Sequence, residues 1–154
     1  MDANRSGGGN GCDACTVVLF GASGDLAKRK VIPAMFDLAR HNSLGPQYAI
    51  VGYARTPMSD DSFRGSIGDA AKNMSEIGPI DPKKWEEFAS NLYYQPGEYG
   101  RAEDFAKLAQ RLKELESEKK LAGNRLFYLS TPPEVYKDIV EQLGKAGLDR
   151  KSVV

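Results

Sequence analysis

The sequence predicts an α/β fold in which a mainly parallel sheet is covered by helices on both faces. Two observations indicate this class. Short apolar runs of strand type alternate along the 154 residues with longer segments of helical period, which is the order that builds parallel βαβ units. The first run, "CTVVLF", holds no charged residue, as expected of a strand that is buried on both faces.

The first half of the chain contains two predicted strands joined by a helix. The strands are expected over 15–20 and 47–54, and the helix over 24–42, with "SLGP" ending it. Pro33 lies inside this helix, and because proline has no N–H, a carbonyl near Arg29 is left without its partner. Such a break in the local rule often marks a functional or specially packed site. The predicted apolar face of the helix consists of Leu26, Met35, Phe36, Leu38 and Ala39.

The second half continues the alternation. Ser59 is the predicted N-cap of a helix that two internal glycines weaken, and Asp81 caps a short helix over 81–91 with Pro82 at its first position. The remaining predicted elements are a strand within 92–99 ended by Pro96-Gly97, a helix over 102–123 stopped by Gly123 and Asn124, a strand over 125–131, a helix over 132–147 and the start of a fifth strand in "KSVV".

Composition excludes several classes of protein. Lys+Arg and Asp+Glu are both 21, so there is no basic excess that would indicate a nucleic-acid or membrane partner. No apolar stretch approaches the roughly 20 residues that span a bilayer. Residues 1–14 form a Gly-rich segment without a signal-type apolar core, and we expect a flexible tail and a cytoplasmic protein.

The two cysteines form a C-x-x-C pattern at Cys12 and Cys15. In a thioredoxin-type site this pattern follows a strand, whereas here it precedes one. A structural zinc site needs a second pair of ligands, and the only histidine is His41. We therefore expect incidental thiols and no metal site.

The stretch "GASGDLA" carries the first indication of a ligand. It follows the first strand directly and opens a helix, so Gly21 and Gly24 would let the chain turn sharply and let a pyrophosphate approach the helix N-terminus. Ser23 adds a hydroxyl donor. The spacing G-x-x-G-x-x-A, with Ala27 at the end, is a variant of the usual dinucleotide fingerprint and is not a P-loop. The alternative is a glycine-bearing connection that binds nothing.

Two further strand ends bear on the type of ligand. The second strand ends "GYART" with no carboxylate at its tip, and Arg55 and Thr56 suit the 2′-phosphate of NADP; the alternative for Arg55 is a solvated side chain. The fourth strand ends "LSTPP". There the stiff turn at Pro132 and Pro133 suits a nicotinamide ring, and Tyr136, one helical turn on, is placed to stack on the ligand or donate to the pyrophosphate. An ordinary helix start with a packed tyrosine explains the pattern nearly as well.

Lys28, Arg29 and Lys30 form a run of cations on the first helix. Such a run is usually a solvated face. Adjacent helical positions point about 100° apart, so the three side chains cannot all face one ligand.

Three stretches together, "GASGDLAKRKVIPAMF", "IVGYAR" and "NRLFYLSTPPEVY", resemble the N-terminal coenzyme domain of the glucose-6-phosphate dehydrogenase family over about residues 15–154. The resemblance implies a Rossmann-like, doubly wound sheet, incomplete at the C-terminus, and oxidation of glucose 6-phosphate to 6-phosphogluconolactone with NADP⁺. The family usually self-associates as a homo-oligomer. The resemblance further implies that Lys30 reaches toward the sugar, that Arg55 binds the 2′-phosphate, and that Pro132, Pro133 and Tyr136 line the nicotinamide side. The coenzyme turn that it implies consists of Gly21, Ala22, Ser23, Gly24, Asp25 and Leu26.

The sequence also departs from the family pattern. The E-K-P-F-G and R-I-D-H-Y-L-G-K segments are missing, and with them the substrate-binding residues, the Asp–His pair and the C-terminal α+β domain. We therefore expect no catalytic residue in this chain, because His41 sits in another region and proton removal needs a positioned base. The alternative to an enzyme portion is a non-catalytic NADP(H)-binding module. A short-chain reductase is disfavoured, since its T-G-x-x-x-G-x-G turn and Tyr-x-x-x-Lys pair are missing.

Overall fold

Five parallel strands form a single sheet in the order β3-β2-β1-β4-β5. The computed structural model describes residues 15–41, 47–72, 79–121 and 124–148, and the backbone of 152–153. The strands are β1 (Cys15–Phe20), β2 (Tyr48–Ala54), β3 (Leu92–Pro96), β4 (Asn124–Leu129) and β5 (Ser152–Val153). All four strand pairings are parallel, so the predicted class, with its start of a fifth strand, is confirmed.

Helices cover both faces of the sheet. They are α1 (Ile32–Arg40), α2 (Asp60–Lys72), α3 (Pro82–Ala89), α4 (Ala102–Lys119) and α5 (Tyr136–Lys145). Alternate residues of β1 divide the core: Val17 and Leu19 pack with α1, α2 and α3, whereas Val18 and Phe20 pack with α4 and α5. This alternation explains why every residue of the strand is buried and none is charged, because neither face meets water.

Two predicted caps are confirmed at the starts of helices. The Asp81 side chain accepts a hydrogen bond from the Lys83 N–H at 3.0 Å, with Pro82 opening α3. Ser59 Oγ accepts from the Ser62 N–H at 3.1 Å, and α2 runs for 13 residues in spite of its glycines. Gly68 faces the Trp85 indole, which is one reason that a small residue suits this position.

The expected disturbance around Pro33 takes the form of a π-helical turn, Ala27–Val31, immediately before α1. Here the Ile32 N–H reaches back five residues to the Ala27 carbonyl. The wider turn accommodates a proline that donates no backbone hydrogen bond, and such turns are frequent at functional sites.

Three predictions about helices need correction. Leu26 and Leu38 are 56% and 47% exposed, so they do not belong to the packed face. The extra residue of the π-helical turn moves that face to Ala27, Val31, Ile32, Met35 and Phe36. The longest helix ends at Lys119 rather than at Gly123–Asn124, because Lys120 adopts a left-handed conformation (φ 56°) and the Leu121 N–H closes onto the Glu116 carbonyl.

The remaining predictions for the N-terminal region can be followed only in part. The Gly-rich tail over 1–14 and Cys12 lie outside the described residues. Cys15 begins β1 and is 3% exposed, so it is part of the core.

Candidate coenzyme-binding site

The carboxyl ends of β1, β2 and β4 meet at one edge of the sheet. The Gly21 N–H donates to the Tyr53 carbonyl of β2 at 2.8 Å, and the Ser130 N–H donates to the Phe20 carbonyl of β1 at 2.9 Å. Because the chain leaves β1 toward β2 on one side and later reaches β4 on the other, a crevice opens between these ends. That is where doubly wound sheets bind their ligands.

Gly21 is required by the geometry of this edge. Its φ is +86°, and a Cβ built there would lie 2.2 Å from the Ser130 carbonyl oxygen and 3.0 Å from Thr131 Cγ2. Gly52 lets the same turn lie on β2, since its notional Cβ would be 2.6 Å from Ala22 Cβ. Ala22 is fully buried by this contact, so its side chain is not accessible to a ligand.

The helix after the turn presents its N-terminus to the crevice. The Gly24 N–H donates to the Gly21 carbonyl at 3.0 Å, and helical structure begins at Asp25. Gly24, Asp25 and Leu26 are exposed. First-turn N–H groups have no partner within their helix, and the helix dipole adds partial positive charge there, so this end suits a phosphate.

Arg55 lies beside the turn, on an aromatic ring. It is exposed directly after β2, and its guanidinium carbon lies 5.8 Å from the centroid of the Tyr99 ring. Burial raises the pKa of the Tyr99 phenol, while Arg55 and a backbone hydrogen bond involving Gly21 act in the opposite direction. Tyr99 therefore connects Arg55 with the glycine turn.

Tyr94 makes a second connection below the crevice. Its phenol donates to the Thr56 carbonyl at 2.6 Å and also forms a hydrogen bond with the Ser23 side chain. Burial raises the pKa of Tyr94 to about 12, so the phenol stays protonated. Sequence reasoning found Ser23 and Thr56 but missed Tyr94 and Tyr99; their signal was aromatic residues in and just after the third predicted strand.

The end of β4 completes this edge. Pro132 and Pro133 are exposed and lead through a 3₁₀ turn, Pro133–Val135, to Tyr136, which is 40% exposed. Ser130 Oγ and Thr131 Oγ1 are buried, and neither has a hydrogen-bond partner within the described ranges. Sequence reasoning did not single out these two hydroxyls.

The three cations Lys28, Arg29 and Lys30 differ in their surroundings. Arg29 pairs with Asp25 at 3.1 Å, with both side chains largely exposed, whereas Lys28 is half-buried and Lys30 is exposed. Asp25 is expected in the coenzyme turn, and its carboxylate already forms an ion pair with Arg29 of the same helix.

His41 lies away from this edge. It follows α1, with Nδ1 2.8 Å from the Asp37 carbonyl oxygen, and α1 runs antiparallel to the strands. Helical rise from Asp25 to His41 separates the imidazole from the crevice by roughly 20 Å. Among the described residues there is no cluster of metal-ligating side chains, and none of the helices there is long and apolar enough to cross a membrane.

These features fit a dinucleotide. A helix N-terminus supplies N–H donors, Gly21 lets the turn pack closely against the backbone of Ser130, and two buried hydroxyls without a partner among the described residues lie against the same turn. All of them surround the crevice between β1 and β4.

The comparisons with known proteins agree with this geometry. The family model described as "Glucose-6-phosphate dehydrogenase, NAD binding domain" matches residues 18–154. The chain is 43% identical to a glucose-6-phosphate 1-dehydrogenase of Aggregatibacter actinomycetemcomitans over 89% of its own length and 27% of the relative's. It is 38% identical to a chloroplastic glucose-6-phosphate 1-dehydrogenase 1 of Arabidopsis thaliana over 81% of its length and 21% of the relative's.

A solved glucose-6-phosphate dehydrogenase, in complex with its substrate glucose-6-phosphate, superposes with a TM-score of 0.80 and 34% identity, covering 92% of this chain and 29% of that one. The chain thus spans about a quarter of the length of its relatives. It belongs to the glucose-6-phosphate dehydrogenase family and corresponds to that family's N-terminal domain, which binds NAD(P).

Proposed function

We propose that this chain binds NADP⁺ as the coenzyme-binding part of an enzyme that oxidises glucose 6-phosphate to 6-phosphogluconolactone. The observation that carries the proposal is the pairing of the exposed helix N-terminus at Gly24–Leu26 with Arg55 at the end of the neighbouring strand, where no carboxylate stands. A carboxylate at that position would serve the ribose hydroxyls of NAD, whereas arginine serves the 2′-phosphate.

Each part of the edge has a role in this proposal. Arg55 and Thr56 hold the 2′-phosphate, with Tyr99 supporting the guanidinium and Tyr94 holding the Thr56 backbone in place. The pyrophosphate lies on the glycine turn, formed by Gly21, Ala22, Ser23, Gly24, Asp25 and Leu26, and the nicotinamide side is lined by Pro132, Pro133 and Tyr136.

The bound coenzyme would supply the acceptor for a hydride from the sugar. The chain's own residues bind and orient it, and Lys30 is the member of the cation run proposed to face the sugar. The histidine at the opposite edge favours a second candidate, a module that holds NADP(H) without chemistry, since no imidazole of this chain reaches the crevice.

Thermal unfolding with each coenzyme tests the proposal. We expect NADP⁺ to raise the melting temperature well above the shift given by the same concentration of NAD⁺, because a ligand that binds only the folded state stabilises it by mass action. Equal shifts would contradict the role of Arg55, and no shift would contradict the binding site.

A variant localises the preference. Arg55→Gln is expected to weaken NADP⁺ binding by roughly 10- to 100-fold, the range for losing a charge-assisted hydrogen bond, and to leave NAD⁺ binding unchanged. Lys145→Gln removes the same charge at the end of α5, far from the crevice, and is the matched control.

Two further expectations come from the family. We propose that the working enzyme is a homo-oligomer and that it acts in the cytoplasm, although the Arabidopsis relative is described as chloroplastic. Light scattering of the purified protein and fractionation of cells measure the two properties directly.

A further inference from the structure

Two adjacent hydroxyls at the end of β4 lack the partners that buried polar groups normally have. Ser130 Oγ and Thr131 Oγ1 are both shielded from solvent, and neither forms a hydrogen bond with any other described residue. Most buried polar side-chain atoms in folded proteins are hydrogen-bonded, because removing an unpaired hydroxyl from water destabilises the folded state. Two exceptions side by side therefore need an explanation.

Their position supplies one. Ser130 lies over the Gly21 turn, with its carbonyl oxygen 2.2 Å from the notional Cβ of Gly21, and its N–H is held by the Phe20 carbonyl. Thr131 Cγ2 lies 3.0 Å from the same notional Cβ. Ser130 is therefore fixed by a backbone hydrogen bond beside the crevice between β1 and β4, and Thr131 lies against the same turn. The hydroxyls of both are without a partner among the described residues.

We infer that the Ser130 and Thr131 hydroxyls, which have no partner among the described residues, donate hydrogen bonds to oxygen atoms of the bound dinucleotide. This inference rests on the proposed function. A hydroxyl rotates about χ1 between staggered positions, so it can turn from the protein toward a ligand without moving the backbone. The folded protein without coenzyme is less stable for this arrangement, and the stability returns on binding.

A purely structural role makes the opposite prediction for stability. If ordered water satisfied these hydroxyls, removing them would break existing hydrogen bonds and lower the melting temperature of the coenzyme-free protein. Stability without ligand and affinity for ligand therefore separate the two explanations.

The experiment uses Ser130→Ala and Thr131→Val, which remove one hydroxyl each with little change of volume. We expect each to raise the Kd for NADP⁺ by about 10-fold, equivalent to about 1.4 kcal/mol, measured by isothermal titration calorimetry. The melting temperature without coenzyme should be unchanged or higher. Thr131→Ser retains a hydroxyl and is expected to keep the Kd within about 2-fold of the original.

Thr16→Val is the matched control. Thr16 Oγ1 is also buried without a partner among the described residues, but it lies near the start of β1, away from the crevice. Its loss should leave the Kd unchanged.

The outcomes separate this inference from the proposed function. If the unmodified chain does not bind NADP⁺, the proposed function fails and the inference fails with it. If it binds and both hydroxyl-deleting variants keep the original Kd, only the inference is overturned. A lower melting temperature in the absence of coenzyme, or a Thr131→Ser variant that binds as weakly as Thr131→Val, would also overturn it.

Discussion

Gly21 determines the shape of the site at the scale of a single residue. The chain must reverse direction at this position directly under the end of β4, and it does so with a backbone conformation that side chains oppose. Two separate effects are combined here, the left-handed φ and the lack of space; Gly147 has only the first of them, and Gly65 has neither.

Alanine substitutions at three glycines test this division. Gly21→Ala meets both effects and is expected to lower the free energy of unfolding by about 3 kcal/mol or more. Gly147 has φ +72°, but no atom of the described residues lies within 4 Å of its notional Cβ, so Gly147→Ala should cost only about 1 kcal/mol. Gly65 lies inside α2 with open space and no left-handed φ, and Gly65→Ala should be stabilising by roughly 0.5–1 kcal/mol. Urea denaturation measures all three, and a Gly21 variant no worse than the Gly147 variant would refute the close contact with Ser130.

At the scale of elements, Asp60 holds three of them together behind the site. It opens α2, its Oδ1 accepts the Tyr94 N–H of β3 at 2.8 Å, and its Oδ2 accepts from Arg111 of α4 at 2.7 Å. The strand that carries Tyr94 is therefore fixed to the helices on both faces of the sheet by one carboxylate.

Neutral variants of two neighbouring acids test this connection. Asp60→Ala should lower the free energy of unfolding by about 2–3 kcal/mol, because a partly buried arginine and a strand N–H both lose their acceptor. Asp61→Ala changes the same charge in the same helical turn, but the Asp61 side chain is 95% exposed and should contribute less than about 0.5 kcal/mol. Chemical denaturation measures the free energy of unfolding of both variants. Equal decreases would show that a negative charge at the helix N-terminus, rather than the contacts of Asp60, stabilises this region.

The elements also show what sequence alone could predict. Strand and helix types follow from hydrophobic period, and the caps at Ser59 and Asp81 follow from local chemistry, so both were found. The end of α4 at Lys120 was missed because a left-handed lysine has no sequence signal comparable to glycine. Tyr94 and Tyr99 were missed for another reason, since their contacts join segments that are distant in sequence. Pro33 predicted a disturbed helix, but the π-helical turn depends on packing against the sheet.

At the scale of the whole molecule, buried tyrosines make stability depend on alkaline pH. Burial is the main cause that raises the phenol pKa of Tyr48, Tyr53, Tyr94 and Tyr99. Below the unfolded pKa of about 10, these phenols are protonated in both states and contribute no pH dependence to the free energy of unfolding. Above it the unfolded chain loses protons that the folded protein keeps, so the free energy of unfolding falls as pH rises toward 12.

The predicted loss is up to about 1.4 kcal/mol per pH unit for each such tyrosine. Tyr94→Phe should make the fall between pH 10 and 12 shallower by about one proton, measured by urea denaturation at several pH values. Tyr128→Phe removes the same hydroxyl from a ring that is 43% exposed on β4 and is the matched control. An unchanged slope in Tyr94→Phe would contradict the raised pKa of that phenol.

Binding and catalysis should separate in a chain with this arrangement of groups. The parts that fit a coenzyme lie at the carboxyl edge of the sheet, whereas the single histidine follows α1 at the other edge, roughly 20 Å away. Oxidation of a sugar hydroxyl needs a base within hydrogen-bond reach of its proton. We therefore expect the 154-residue chain to show a melting shift with NADP⁺ and yet to produce no NADPH from glucose 6-phosphate.

Absorbance of NADPH is compared with a reaction lacking protein, and the melting shift in the same sample verifies that the chain is folded and has bound the coenzyme. NADPH formation above that background would contradict this expectation, because a residue of this chain other than His41 would then provide the base. Asp25, at the mouth of the crevice, would be the first residue to replace in the search for that base.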